Sequence, residues 1–225
     1  ARNAERVYFN QGNPPLVGLL DKDFKRLLDV GCGAGDNASL IKLRYPRGEI
    51  SGVTHSAAEA ELAKSVMSRY WVSDIGGALP DDLAGQSFDV LVFSHVLEHI
   101  RDPAAVLAKF SRLLSAEGTV LIAVPNLASW RMRLQILLEG FRSQAAGVLD
   151  DTHLRFFTYF TADEYLLGRC PDLMLAEKTA SGSVALRWLR RYLFPARLAN
   201  HIDRLGCRLW LNILDRQVLM CAVQR

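Results

Sequence analysis

Apolar residues fall along this chain in short, β-branched blocks separated by stretches of helical period. Residues 26–30 (RLLDV), 49–54 (EISGVT), 70–74 (YWVSD), 88–94 (FDVLVFS) and 119–124 (TVLIAV) have the length and content of buried strands. Between them, 37–44, 57–68 and 103–114 predict helices. The last has Asp102 as its N-cap, Pro103 at the first position, and Val106, Leu107, Phe110, Leu113 and Leu114 on one face. Strands alternating with helices predict a doubly wound α/β fold on a mostly parallel sheet, with its ligand at the carboxyl ends of the strands.

The later half is less regular. Residues 127–139 read as an amphipathic helix, followed by a loop that carries Asp150, Asp151, His153 and Arg155. Thr161 with Glu164 predicts a capping box and Phe160 with Tyr165 a hydrophobic staple, so a helix is expected from Ala162. Residues 173–179 and 218–223 predict a closing strand pair. The expectation is one domain over 1–225 with two helical insertions, at about 127–157 and about 183–216. About 35 residues separate Val124 from Thr161, where 2–6 are usual, an excess typical of a lid or binding element.

Composition narrows the partners. Of 225 residues half are apolar and 23% charged, enough to bury a core. Cys32, Cys170, Cys207 and Cys221 form no CxxC pair, which argues against a zinc ribbon, a thioredoxin-type site and a disulfide scaffold. No apolar run reaches the roughly 18–20 residues of a membrane span, and residues 1–10 lack a signal-peptide core, so a cytoplasmic protein is expected. The net charge of +3 is unevenly spread: residues 183–216 hold seven arginines against two aspartates, so the rest is net acidic. Those arginines oppose apolar stripes, the pattern of cap helices, of a lid over an anionic substrate, or of a membrane-surface helix. No nucleic acid is expected, because the basic run lacks a stacking platform.

The chemistry starts at Leu27-Leu28-Asp29-Val30-Gly31-Cys32-Gly33-Ala34-Gly35. A strand ends in a turn whose three glycines let backbone N–H groups approach a ligand, and a helix opens at once with its positive dipole end. A dinucleotide site would want glycine at position 36, where Asp36 stands, and an acid about 20 residues on, where Thr54 ends the second strand.

This segment, and the chain from about 26 to 169, resembles the class I S-adenosylmethionine-dependent methyltransferases. The resemblance implies a Rossmann-like, seven-stranded sheet and S-adenosylmethionine as cofactor, leaving as S-adenosylhomocysteine. In that family D-x-G-x-G-x-G cradles the methionine end, which implies roles for Asp29, Gly31, Gly33 and Gly35. An ammonium and a carboxylate on one ligand do want an acid beside backbone donors. By the same resemblance Asp74 and Ile75 meet the adenine, and Ser94 and His95 lie beside the cofactor. The second strand usually ends in an acid that holds the ribose hydroxyls. Here Thr54 and His55 take that place, as a Thr does in cyclopropane-forming lipid enzymes, and Thr54→Asp is expected to tighten nucleoside binding.

Methyl transfer to oxygen or nitrogen needs a proton removed. Among His95, Glu98, His99, Asp150, Asp151 and His153, the candidate general bases are His153 and, as the alternative, His99; residues 151–158 resemble a segment of bacterial methyltransferases acting on small metabolites and cell-surface sugars. His95-x-x-Glu98-His99 with His153 echoes the E-x-x-E-H…H metal site of ubiquinone-pathway and small-RNA terminal O-methyltransferases. With His95 in place of the first Glu, the site is read as metal-free. The expected function is methylation of a small molecule or of a sugar- or lipid-linked acceptor, at oxygen or nitrogen. The alternatives are a non-catalytic regulatory domain that binds the cofactor and a metal-dependent O-methyltransferase.

Overall fold

A computed structural model of the chain describes residues 11–142, 144, 147–182 and 215–224, with positions 192, 195 and 198. Five strands run parallel: β1 (Arg26–Val30), β2 (Glu49–Thr54), β3 (Arg69–Val72), β4 (Phe88–Ser94) and β5 (Leu114–Pro125). With β6 (Leu173–Gly182) and β7 (Asp215–Gln224) they form one sheet in the order β3-β2-β1-β4-β5-β7-β6. Strand β7 is antiparallel to both its neighbours. The doubly wound, mostly parallel, seven-stranded expectation holds.

The helices between the strands cover both faces. They include α1 (Pro14–Val17), α2 (Asp36–Arg44), α3 (Ala57–Ala63), α4 (Asp81–Ala84), α5 (Pro103–Ser111), α6 (Trp130–Glu139) and α7 (Ala162–Leu167). Alternation along β1 explains the two layers. Leu27 joins Ile41, Ile50 and Val90 on the α1/α2 side, while Leu28 joins Phe93, Phe110 and Val120 on the α5/α7 side. Phe110 meets Phe93 edge-on at 5.9 Å, and burying one such ring stabilises the fold by about 1.5–3 kcal/mol. Asp29 shares the parity of Leu27, which turns its carboxylate toward α2. The order β2-β1-β4 puts the switch of winding direction between β1 and β4, where a crevice opens at the carboxyl ends.

Several local expectations change. Strand β3 stops at Val72 and α3 at Ala63, α6 starts only at Trp130, and α1 and α4 are additional short helices. Asp102 does cap α5, accepting from the Ala105 N–H at 3.2 Å. The capping box at Thr161 does not form: its hydroxyl accepts from the Thr158 N–H and trades contacts with the Thr158 hydroxyl. The staple is replaced too, because Phe160 is exposed and Tyr165 packs on Phe157. Of the Arg-rich insertion, 183–214 lies outside the described residues except at 192, 195 and 198, and Asp215 and Arg216 belong to β7. No helix among the described residues is long and apolar enough to cross a membrane.

Candidate active site

Strand β1 ends in three glycines that all have positive φ, at 81°, 52° and 89° for Gly31, Gly33 and Gly35. They differ in what surrounds them. A Cβ on Gly31 would stand 2.6 Å from the Val96 side chain, and one on Gly35 2.7 Å from Val66. At Gly33 nothing comes nearer than Glu59 Oε1, at 4.0 Å. The first and third glycines serve packing, and the middle one faces open space.

Asp29 sits at the base of this turn, fully buried, and neither carboxylate oxygen has a hydrogen-bond partner. Burial pushes its pKa up to about 7; the Asn37 side chain opposes the rise and Asp36 adds to it. An orphaned carboxylate is costly unless something completes it, and a ligand ammonium is a fitting complement.

An acid from α3 lies against the end of β2. The Thr54 hydroxyl, 1% exposed, donates to Glu59 Oε2 at 2.8 Å and accepts from the Ser56 N–H. Glu59 is itself 2% exposed, held in the first turn of α3 where Ser56 caps its N–H. Sequence reasoning missed this residue; Ser56-x-x-Glu59, a capping-box spacing, was its one local signal. His55 is exposed.

Asp74 lies beyond β3 on the rim of a cavity of about 450 Å³, which Gly76, His99, Arg101 and Lys109 also line. Ile75 is buried in the core. Lys109 of α5, another residue not singled out from sequence, donates to the carbonyls of Ile75 (2.6 Å) and Gly77 and so fixes this turn.

At the end of β4, Ser94 accepts from Asn13 at 3.4 Å, and His95 adopts a left-handed backbone (φ 55°). That conformation is unusual for a residue with a side chain and is characteristic of functional turns. The chain continues into a 3₁₀ turn, Leu97–His99. The excursion after β5 closes on itself through the Asn126–Phe157 bridge, and its returning limb donates from Leu154 and Arg155 N–H to the Glu98 carbonyl. This docking brings His153 to His99, with ring centroids 4.6 Å apart. The two candidate bases, 54 positions apart in sequence, are therefore neighbours.

Their protonation follows from their partners. His153 Nδ1 lies 2.9 Å from the Val148 carbonyl, which can only accept, so Nδ1 carries the proton. His99 Nδ1 lies 2.9 Å from the Thr152 hydroxyl, whose own proton goes to Asp150 Oδ1 at 2.6 Å. Both imidazoles thus keep an Nε2 lone pair when neutral. Burial lowers the pKa of His99 and His153 adds to this, against the pull of Glu98. Glu98 is 1% exposed, with Oε1 3.3 Å from His95 Nδ1 and 4.0 Å from His153 Nε2, and its Oε2 has no partner. One ligand atom each from Glu98, His99 and His153 lie within 4.8 Å of one another, a group able to hold a metal ion.

A buried, unpaired acid beside a left-handed glycine turn, at the switch point of a parallel sheet, defines a doubly wound α/β ligand-binding domain. A family described as "Methyltransferase domain" matches residues 3–166, and the chain belongs to it. It is 29% identical over 126 residues to trans-aconitate 2-methyltransferase of Methylobacterium radiotolerans, covering 55% of this chain and 47% of that one. It is 30% identical over 129 residues to the ubiquinone biosynthesis O-methyltransferase of Neisseria meningitidis, covering 55% and 51%. The chain spans about half the length of the curated relatives it matches. Among solved structures, the plantazolicin methyltransferase BpumL in complex with a monoazolic desmethylPZN analog and S-adenosylhomocysteine superposes with a TM-score of 0.60. At 15% identity, with 94% of this chain and 80% of that one covered, it shares the fold.

Proposed function

We propose that this chain binds S-adenosylmethionine and transfers its methyl group to an oxygen or nitrogen of a small-molecule acceptor, free or carried on a sugar or lipid, in the cytoplasm. The observation that carries the reading is Asp29. Its partnerless carboxylate suits the ammonium of the cofactor's methionine end, and the Gly33 and Ala34 N–H groups with the first turn of α2 are assigned the ligand carboxylate, since the Gly31, Cys32 and Gly35 N–H groups donate to the Val53 and Cys32 carbonyls. Glu59, backed by the Thr54 hydroxyl, faces the same turn and is assigned the ribose hydroxyls; Asp74 is assigned the adenine.

The acceptor side is assigned to His153 and His99, with the excursion over 127–157 as its wall. The acceptor's proton passes to an imidazole Nε2 as its oxygen or nitrogen bonds the methyl carbon and the sulfonium carbon–sulfur bond breaks. Much of the acceleration in such a displacement comes from holding the nucleophile in line. The relatives' names, which include a ubiquinone-pathway O-methyltransferase, support oxygen as the atom methylated.

The test is calorimetry followed by a survey with labelled methyl donor. S-adenosylhomocysteine binds, NAD does not compete, and Asp29→Ala abolishes binding; label then passes to one fraction of a cell extract. Binding of NAD without S-adenosylhomocysteine would falsify the reading.

The unpaired Glu98 Oε2 and the Nε2 lone pairs of the two histidines favour a second reading, in which Glu98, His99 and His153 would hold a divalent ion whose charge would lower the pKa of a bound acceptor. Loss of transfer after chelation, restored by Zn²⁺ or Mn²⁺, selects this reading over the first.

A further inference from the structure

Helix α6 turns leucines outward. Met132 is buried, but Leu134, Leu137 and Leu138, which share a face by their i, i+3, i+4 spacing, are 45%, 80% and 72% exposed. The apolar surface continues past the helix end at Gly140. There Phe141, 55% exposed, meets Phe156 of the returning limb edge-on at 5.4 Å, and Leu154 is exposed nearby in the same limb. Scattered surface leucines need no explanation, whereas a contiguous apolar patch marks a contact surface. The Phe156 ring in turn lies 6.4 Å from that of His153, so the patch runs up to the acceptor side of the site.

Arginines border this patch. Arg131, Arg133 and Arg142, all exposed, stand against a single acid, Glu139, within residues 130–142. Arg131 lies over the Trp130 ring at 5.3 Å and Arg133 donates to the Ala128 carbonyl at 2.7 Å. Among the described residues none of the three is ion-paired. Outward leucine and phenylalanine ringed by unpaired guanidinium groups match the boundary of a bilayer, with the apolar groups among the acyl chains and the arginines at the phosphates. A second copy of the chain fits less well. A two-fold interface sets the patch against itself, which brings these arginines together with only one carboxylate per copy to offset three.

We propose that α6 and the 154–156 limb dock on an anionic lipid bilayer, and that the acceptor is a molecule anchored in that bilayer. Docking sets His153 beside the lipid surface, so an acceptor group at headgroup level reaches it without leaving the membrane. The docking stands on the patch and its arginines alone. Only the class of acceptor rests on the methyl-transfer reading.

The experiment is co-sedimentation of the full chain with vesicles of mixed phosphatidylglycerol and phosphatidylcholine, beside vesicles of phosphatidylcholine alone. The chain sediments with the mixed vesicles, and added salt weakens the binding. Replacing Leu137→Glu and Leu138→Glu together lowers the partition coefficient by about tenfold or more at an unchanged melting temperature, because two charges enter the acyl boundary. Replacing Arg131, Arg133 and Arg142 by Gln removes the preference for phosphatidylglycerol. Leu43→Glu, at an exposed leucine of α2, leaves binding as it was. No binding to the mixed vesicles, or undiminished binding in the double leucine variant, overturns the proposal. So does a dimer in light scattering that the double leucine variant dissociates. With cell membranes and labelled methyl donor, label enters the organic-solvent extract; label confined to the aqueous extract overturns the acceptor assignment. S-adenosylhomocysteine calorimetry on the same samples stands apart: failure to bind defeats the methyl-transfer reading and leaves the sedimentation result intact.

Discussion

The Thr54 hydroxyl donates to Glu59 Oε2 at 2.8 Å, with both residues sealed from solvent. The hydroxyl expected to meet the ribose is thus committed to a neighbouring carboxylate from the next helix. The expectation for Thr54→Asp reverses. A second carboxylate would face Glu59 at hydrogen-bond distance in a buried site, where two like charges cannot both ionise. Thr54→Asp is predicted to lower the melting temperature and to weaken S-adenosylhomocysteine binding about tenfold. Glu59→Ala weakens it by a similar factor, the worth of a charged hydrogen bond. Calorimetry beside a thermal melt checks both.

Asp29 makes stability and ligand binding respond to pH in opposite senses. Its pKa is raised from 3.8 to about 7 in the folded, unliganded chain. A carboxyl whose folded value lies above its unfolded value favours folding at low pH. That contribution is lost as pH rises between the two values, about 4 kcal/mol in all. Binding an ammonium needs the ionised form, so S-adenosylhomocysteine affinity rises about tenfold per pH unit up to 7 and then levels. Below pH 7 binding expels a proton, seen as a binding heat that depends on the buffer. Asp29→Asn flattens both profiles.

The glycines separate fold from function. Gly31→Ala and Gly35→Ala place a Cβ against Val96 and Val66, and are predicted to destabilise the domain. Gly33→Ala meets only the backbone cost of a left-handed residue, about 1–2 kcal/mol, and keeps the fold. It loses S-adenosylhomocysteine binding by tenfold or more, since the methyl group fills the space the ligand needs. Thermal melts and calorimetry of the three variants distinguish these outcomes.

His153→Ala is predicted to cut transfer by about 100-fold or more, within the range of general acid–base contributions, with S-adenosylhomocysteine affinity nearly unchanged. The acceptor found by the labelling survey provides the assay. Full activity in this variant would shift the role to His99.

The strand–helix alternation was legible because buried parallel strands are continuous apolar runs, and local composition suffices to mark them. The glycine turn was legible for a related reason: backbone approach to a ligand demands glycine at fixed offsets, whatever surrounds it. Hydrogen-bond partners far apart in the chain left no such mark. Nothing local in Glu59 distinguishes a helix-capping acid from one turned under a strand end. Nor does Asn13 announce the amide of Gln217, 204 residues later, to which its own donates at 2.9 Å. The capping box at Thr161 was a sound local pattern, yet the Thr158 hydroxyl competed for the same groups. Period and glycine spacing act over a few residues and are written into the order of the chain. Which polar atoms meet depends on how β4, β7 and the 127–157 excursion pack, and that is settled by burial of the whole core.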